Sequence, residues 1–243
     1  MKFTIDRDSL MKPLQQVAGV VERRQTLPIL SNILLTIKNN QLSMIGTDLE
    51  VEMQTHASLV GAEQGEITVP ARKFLDICRA LPDQASIQFS LTENRMVIRS
   101  GKSRFVLSTL PAAEFPNIEV NDNILSFSIS QSILKNAIER SYFAMAQQDV
   151  RYYLNGMLFE INANHLTLVA TDGHRLAVCN TGASIKIKEN QQVIVPRKGV
   201  IELMKLLSDT DQPINIRLGN NFIQFSTPET TFISKLIDGR FPD

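Results

Sequence analysis

The sequence predicts an α+β fold in which one domain is used twice, each copy laying two helices on largely antiparallel sheet. Three observations predict it. Short motifs recur in order about 124 to 126 residues apart, the same succession of alternating and helical patterns runs through both halves, and basic residues concentrate in the helical stretches. Phe3-Thr4-Ile5 returns as Phe127-Ser128-Ile129, and the run Leu30 to Ile37 lines up with Leu154 to Ile161. Leu42-Ser43-Met44-Ile45-Gly46-Thr47-Asp48 matches Leu166-Thr167-Leu168-Val169-Ala170-Thr171-Asp172. Val69-Pro70 answers Val195-Pro196, each soon followed by Arg-Lys. Ser108-Thr109-Leu110 with Phe115-Pro116 comes back as Ser234-Lys235-Leu236 with Phe241-Pro242. A domain repeated in tandem usually serves to build a shape.

Lys2 to Asp6 alternates as a short strand. Leu10, Leu14, Val17 and Val21 then form a helical stripe, in which Pro13 is tolerable only near the first turn or as a kink. Strands are predicted over 30–38, 41–46 and 49–58, with Asn39-Asn40 as a hairpin turn. A second helix is predicted from Pro70 to about Leu81, because Phe74, Ile77, Cys78 and Leu81 share one face. Three more strands follow over 85–90, 94–99 and 104–110, with Ser100-Gly101 in a turn. The second copy repeats this order, with helices over 131–144 and 197–207. Leu134, Ala137 and Ile138 line the first, and Val200, Leu203, Met204 and Leu207 the second. Domains of 1–124 and 125–243 result, joined by an Asn- and Asp-rich connection from Pro116 through Asn123.

With 43% hydrophobic residues, each copy can bury an ordinary core. No apolar run approaches membrane-spanning length, and Met1-Lys2-Phe3-Thr4-Ile5-Asp6 lacks a secretory core. Cys78 and Cys179 stand at non-equivalent positions inside apolar patterns and read as buried free thiols. A cytoplasmic protein is expected.

The formal charge is zero, yet four helical segments hold twelve basic against five acidic residues, leaving the excess of acid elsewhere. Basic helices and acidic sheets suit a polyanion on one surface. Long basic side chains also favour helix surfaces for their own reasons. The Arg-Lys at the start of both second helices tips the reading towards DNA, through phosphate contacts that are sequence-independent and salt-sensitive.

Thr68-Val69-Pro70-Ala71-Arg72-Lys73, Ser103-Arg104-Phe105 and Leu107-Ser108-Thr109-Leu110-Pro111 resemble segments of the bacterial beta sliding clamp family. Asp149 through Met157 (Asp-Val-Arg-Tyr-Tyr-Leu-Asn-Gly-Met), Ala170-Thr171-Asp172-Gly173-His174-Arg175-Leu176-Ala177 and Asp238-Gly239-Arg240-Phe241-Pro242-Asp243 resemble it more specifically. The resemblance spans the chain. It implies the DNA clamp fold: three such domains per subunit and two subunits head to tail, closing a ring with helices inside and sheets outside. Only two copies are present here, so a crescent or part of a ring is expected, and a monomer that binds DNA poorly.

The resemblance further implies a non-catalytic processivity factor of DNA polymerase III that encircles duplex DNA, with no cofactor and no metal. Its DNA contacts would fall on Arg24, Gln148, Tyr152 and Tyr153, to which the basic helices add Lys12, Arg72, Arg79, Arg197 and Lys198. The tyrosines could stack on exposed bases or be half-buried strand residues. A peptide groove for the polymerase catalytic subunit, the clamp loader and repair proteins would use Arg151, Tyr153, Leu154, Thr171, Gly173, His174, Arg175, Leu176 and Pro242. Leu154, Leu176 and Pro242 would be its apolar anchors. Lack of a third domain would remove part of its wall. A head-to-tail interface would use Lys73, Arg95, Lys102, Arg104, Phe105 and Leu107, which could equally be a charged edge strand.

Two rival functions remain at this level. Asp48, Asp172 and His174 could form a nuclease metal site, although turn chemistry repeats with a fold more readily than a catalytic centre does. Asp172-Gly173 is also a common tight-turn pair. A tandem interaction module without a DNA role would show no salt-dependent DNA affinity. Glycine motifs for gripping phosphate are missing.

Overall fold

The computed structural model describes residues 1–22, 27–120, 125–182, 185, 187 and 190–242. These divide into two compact units, Met1–Ile118 and Glu119–Asp243. In the first unit β1 (Lys2–Asp6) leads directly into α1 (Arg7–Val20). Strands β2 (Asn32–Lys38), β3 (Gln41–Thr47), β4 (Val51–Ser58) and β5 (Gly65–Pro70) follow, then α2 (Ala71–Ala80). The unit closes with β6 (Ser86–Thr92), β7 (Arg95–Ser100) and β8 (Ser103–Ser108). The second unit repeats the plan with β9 (Leu125–Ser130), α3 (Gln131–Glu139), β10 (Gly156–Ile161), β11 (Leu166–Thr171), β12 (Leu176–Thr181) and β13 (Gln191–Pro196). It ends with α4 (Arg197–Leu206), β14 (Pro213–Leu218), β15 (Phe222–Ser226) and β16 (Thr230–Lys235).

Each unit holds two runs of four strands. In the first the orders are β1-β6-β7-β8 and β5-β2-β3-β4; in the second they are β9-β14-β15-β16 and β12-β11-β10-β13. The ladders within each run are antiparallel. Two elements were not legible beforehand. β5 and β13 precede the second helix of each copy, where the sequence reading places no strand. The reason is burial: Ile67, Thr68 and Val69 are buried consecutively, as are Ile194, Val195 and Pro196, so neither strand alternates. Pro70 and Pro196 consequently end edge strands and sit at the N-caps, rather than inside the helices.

The helices show where local chemistry and packing compete. α1 runs through Pro13, whose ring leaves the carbonyl of Ser9 without its intrahelical donor, and Ser9 is exposed. The predicted helix over 131–144 stops at Glu139. There Ser141 is fully buried, and its hydroxyl donates to the Ala137 carbonyl at 2.7 Å; a separate 3₁₀ turn follows at Tyr142–Ala144. The Asn39-Asn40 turn forms as predicted, with φ of 52° and 56°.

Aromatic side chains fill both cores. Phe89 stacks on Phe3 at 4.5 Å and meets the edge of Phe74 at 5.5 Å in the first unit. In the second, Phe225 lies between Phe159 at 6.4 Å and Phe232 at 6.3 Å. Cys78 is buried, but Cys179 is only half-buried, which corrects the pairing of the two as buried thiols.

Candidate peptide groove and basic helix faces

The sheet β12-β11-β10-β13 turns one face to the helices of its unit, burying Met157, Phe159, Leu168, Ala170 and Val195. Alternation puts a different set on the opposite face. The register aligns Ile194, Leu158, Val169 and Val178 in one row across all four strands. Ile237 and Phe241, from the segment after β16, pack with Tyr153 over the Ile194–Leu158 end, and the Ile237 amide donates to the Ile194 carbonyl at 2.9 Å. The other end of the row stays bare. Val178 is 56% exposed and its neighbour Leu176 is 66% exposed, with Thr171 paired opposite Leu176. An apolar trough half covered by its own chain is the result, and two branched side chains left in water favour an incoming apolar partner.

The turn from Thr171 to Leu176 frames this trough. Asp172 accepts from the amides of His174 and Arg175 through Oδ1, and from Arg175 Nε through Oδ2. Thr171 Oγ1 accepts from the Gly173 amide and donates to the Arg175 carbonyl. Gly173 has φ of 86°, which favours glycine, and a Cβ there would lie 3.1 Å from the Arg151 guanidinium, which would have to shift slightly. Arg151 is held by both oxygens of Asp149 and by the Asp172 carbonyl. Arg175 also lies over the Phe143 ring, 5.7 Å from its centroid.

These bonds act on the carboxylates. The Arg151 side chain and amide hold the Asp149 carboxyl down to about 2, and the His174 amide, first among several partners, depresses Asp172. A depressed folded value means that the stabilisation is complete above the ordinary carboxylate value of about 4 and is lost as pH falls through the folded one. Carboxyl carbon shifts in an NMR titration should therefore give Asp149 a midpoint near 2, and Arg151→Ala should return it towards about 4. An unchanged midpoint in the variant would separate Asp149 from this clamp.

The first copy forms the same turn. Asp48 Oδ1 accepts from the amides of Glu50 and Val51, and Thr47 Oγ1 accepts from the Leu49 amide and donates to the Val51 carbonyl. Leu49 takes the positive φ there, at 77°. The repeated Thr-Asp is thus turn chemistry in both copies. His/Cys/Asp/Glu clusters suited to a metal are absent among the described residues.

The sequence-derived site residues divide as follows. Arg151, Tyr153, Thr171, Gly173, Arg175 and Leu176 come together at the trough; His174 and Pro242 are exposed on the same unit. Leu154 is 1% exposed and offers no surface as an anchor, because the 3₁₀ turn Tyr152–Asn155 rotates it into the core. That turn also removes the strand alternative for the two tyrosines: Tyr152 is 58% exposed, and Tyr153 is half-buried against it. Val169, Val178, Ile237, Phe241 and Phe143 were missed. The apolar residues at alternate exposed positions Leu176 and Val178 were the available signal.

The basic helices are less uniform than their composition implied. Lys12, Arg72 and Arg79 are exposed, with no side-chain partner among the described residues. In the second unit Arg197 donates to the Met145 carbonyl, Lys135 pairs with Asp209 and Lys205 with Glu202, while Lys198 is half-buried. Gln148 is exposed with φ of 58°. Arg24 lies outside the described residues. The contrast of basic helices with acidic sheets also needs correcting, since Arg95, Arg99 and Arg104 are exposed on one sheet, Arg99 directly opposite Arg104. Among the interface candidates, Lys73, Arg95, Lys102 and Arg104 are exposed and Phe105 is half-buried. Leu107 is 5% exposed and faces the core from the edge strand β8, so it presents no side-chain surface.

Comparison with known proteins fits this geometry. Residues 1–119 match the DNA polymerase III beta subunit N-terminal domain, and residues 128–243 its central domain. The chain is 57% identical to the beta sliding clamp of Pseudomonas aeruginosa and 53% identical to that of Escherichia coli, all of it matching 66% of each relative's length. It superimposes on the Pseudomonas aeruginosa clamp bound to griselimycin with a TM-score of 0.97 at 56% identity, covering 66% of that chain. For the Caulobacter crescentus clamp the values are 0.93, 38% and 67%. On the repeat, the paired sheets and these matches, the chain belongs to the bacterial beta sliding clamp family and spans two of its domains.

Proposed function

We propose that this chain supplies the first two domains of a bacterial sliding clamp: a non-catalytic, cytoplasmic processivity factor for DNA polymerase III. It would track duplex DNA without reading sequence and hold polymerase, clamp loader and repair proteins by a short hydrophobic peptide. The observation that carries this reading is the trough on the second unit, apolar along its length and bare at Leu176 and Val178 beside a pinned turn. A groove of that kind anchors a few apolar side chains and leaves the rest of the peptide at a polar rim.

Lys12, Arg72 and Arg79 support the DNA half of the proposal, because unpaired cations on helix surfaces can exchange phosphate counterions without fixing register. Tyr152, half in water, suits stacking on an unpaired base. The edge strand β8, which carries Arg104 and lies beside Arg95 and Lys102, suits the head-to-tail contact of a homodimer.

Fluorescence anisotropy of a labelled duplex at increasing salt tests the proposal. Affinity should fall linearly on a log–log scale. Replacing Arg72 and Arg79 together by Gln should reduce the slope by about two, roughly one per lost phosphate contact. Affinity independent of salt would leave the tandem interaction module as the better reading.

A further inference from the structure

A second concavity lies on the same unit, away from the peptide trough and on the helix side of its sheet. It is a cleft of about 310 Å³ between α3 and the end of the edge strand β12. One wall is a stripe made by Ser132, Ile133, Asn136 and Ala137 of α3 and by Arg140 at its C-cap, whose spacing places them on one side of the helix. The other wall is Cys179 through Gly182. The repeat differs between the copies at this place. In the first copy Thr55, the counterpart of Cys179, donates its hydroxyl to the carbonyl of Pro13, the counterpart of Ala137, at 3.3 Å. In the second copy a thiol stands opposite alanine, and no such bond bridges helix and strand.

The lining has a polar end and an apolar middle. The Arg140 guanidinium and the Asn136 amide, one helical turn apart, have no side-chain partner among the described residues. Ile133, 43% exposed, and the half-buried Cys179 supply the apolar surface, with the buried Ala137 as the floor between them. The Ser132 and Thr181 hydroxyls are engaged, with Asp211 and with the Leu166 carbonyl, so they define the rim without offering free donors. A planar guanidinium with an amide beside it matches a carboxylate, which takes two parallel hydrogen bonds from arginine.

We propose that this cleft is a binding site for a small carboxylate with an apolar, ring-sized body. The carboxylate bridges Arg140 and Asn136, and the body lies between Ile133 and Cys179. The cleft uses neither the trough nor Lys12, Arg72 and Arg79; Arg140 is one of the helical cations, but the cleft's thiol and benzoate readouts contain no DNA, so the two readings stand or fall separately.

Cys179 makes the site readable. Burial pushes the Cys78 thiol up to about 12 and keeps it from reagents in the folded protein, so Cys179 is the thiol that reacts. Dithiobis(nitrobenzoate), an aryl disulfide bearing carboxylates, is the anionic probe, and dithiodipyridine is its neutral counterpart. The Cys179 thiolate attacks one reagent sulfur; the reagent disulfide breaks, a mixed disulfide forms, the aryl thiolate leaves and the thiol proton passes to water. Arg140→Gln should slow the anionic reagent about tenfold and leave the neutral one unchanged, and Cys179→Ser should remove the fast phase with both. Benzoate should protect Cys179 saturably, with half-protection on the order of millimolar, and inorganic phosphate at the same concentration should not. Equal effects of Arg140→Gln on the two reagents, or no effect on either, would overturn the site. Protection by phosphate as strong as that by benzoate would overturn the carboxylate assignment.

Discussion

Leu176→Asp should abolish capture of a fluorescein-labelled hydrophobic clamp-binding peptide, raising Kd at least about 100-fold in a polarisation titration, or about 3 kcal/mol. Leu176 is the most exposed apolar side chain along the uncovered end of the row, at 66%, so it has little packing within the unit to lose. A peptide that dries this end would have to desolvate a carboxylate beside Val178 and Thr171, with Arg175 already engaged by Asp172. Val178→Ala should cost less, about 1 kcal/mol, because it removes area without adding charge. Far-ultraviolet circular dichroism should match the parent protein in both. Unaltered affinity for the aspartate variant would mean that the peptide docks elsewhere.

Phe225→Ala should destabilise the second unit by about 3–5 kcal/mol, read from urea midpoints. Phe225 is fully buried between Phe159 and Phe232, at the centre of the ring cluster that packs the unit. Truncation removes a ring from both neighbours and leaves a cavity that rigid strands on two sides cannot close. Phe225→Leu should recover more than half of the loss, since it refills most of the volume. A loss below about 1 kcal/mol for the alanine variant would show that the cluster is loosely packed.

The repeat made the fold legible to a large degree. Motifs paired across the chain gave the strand β1, both helices of each copy and the hairpins around Asn39-Asn40 and Ser100-Gly101, because each has a local cause: alternation, a helical stripe or a residue suited to positive φ. What failed had a non-local cause. β5 and β13 are buried on both faces and have no alternation to detect. The helix predicted over 131–144 ends near Ser141, whose hydroxyl bonds back locally to Ala137; the non-local part is its complete burial against the Met157 sulfur.

The site shows the same division. Arg151, Thr171 and Gly173 were reached through the family resemblance, while Thr171-Asp172 and Asp172-Gly173 could also be read locally, because their chemistry is that of a turn. In the structure Asp172 caps its own turn and Asp149 clamps Arg151 across to it. Leu154, expected as a groove anchor, and Leu107, expected at the head-to-tail interface, both turn inwards, directed by a 3₁₀ turn in one case and by the face of an edge strand in the other. Val169 and Val178 could not be placed beside Leu158 and Ile194 without the strand register.

By itself, then, the sequence determined that there are two copies of one α+β module, which turns each copy makes, and that its helices carry an excess of cations. Only the tertiary structure decided how each copy divides its strands into two sheets, which cations stay unpaired, and where apolar side chains remain in water. Backbone geometry and turn chemistry depend on residues a few positions apart. Burial and ion pairing depend on contacts such as Lys135 with Asp209, between residues brought together only when the chain has folded.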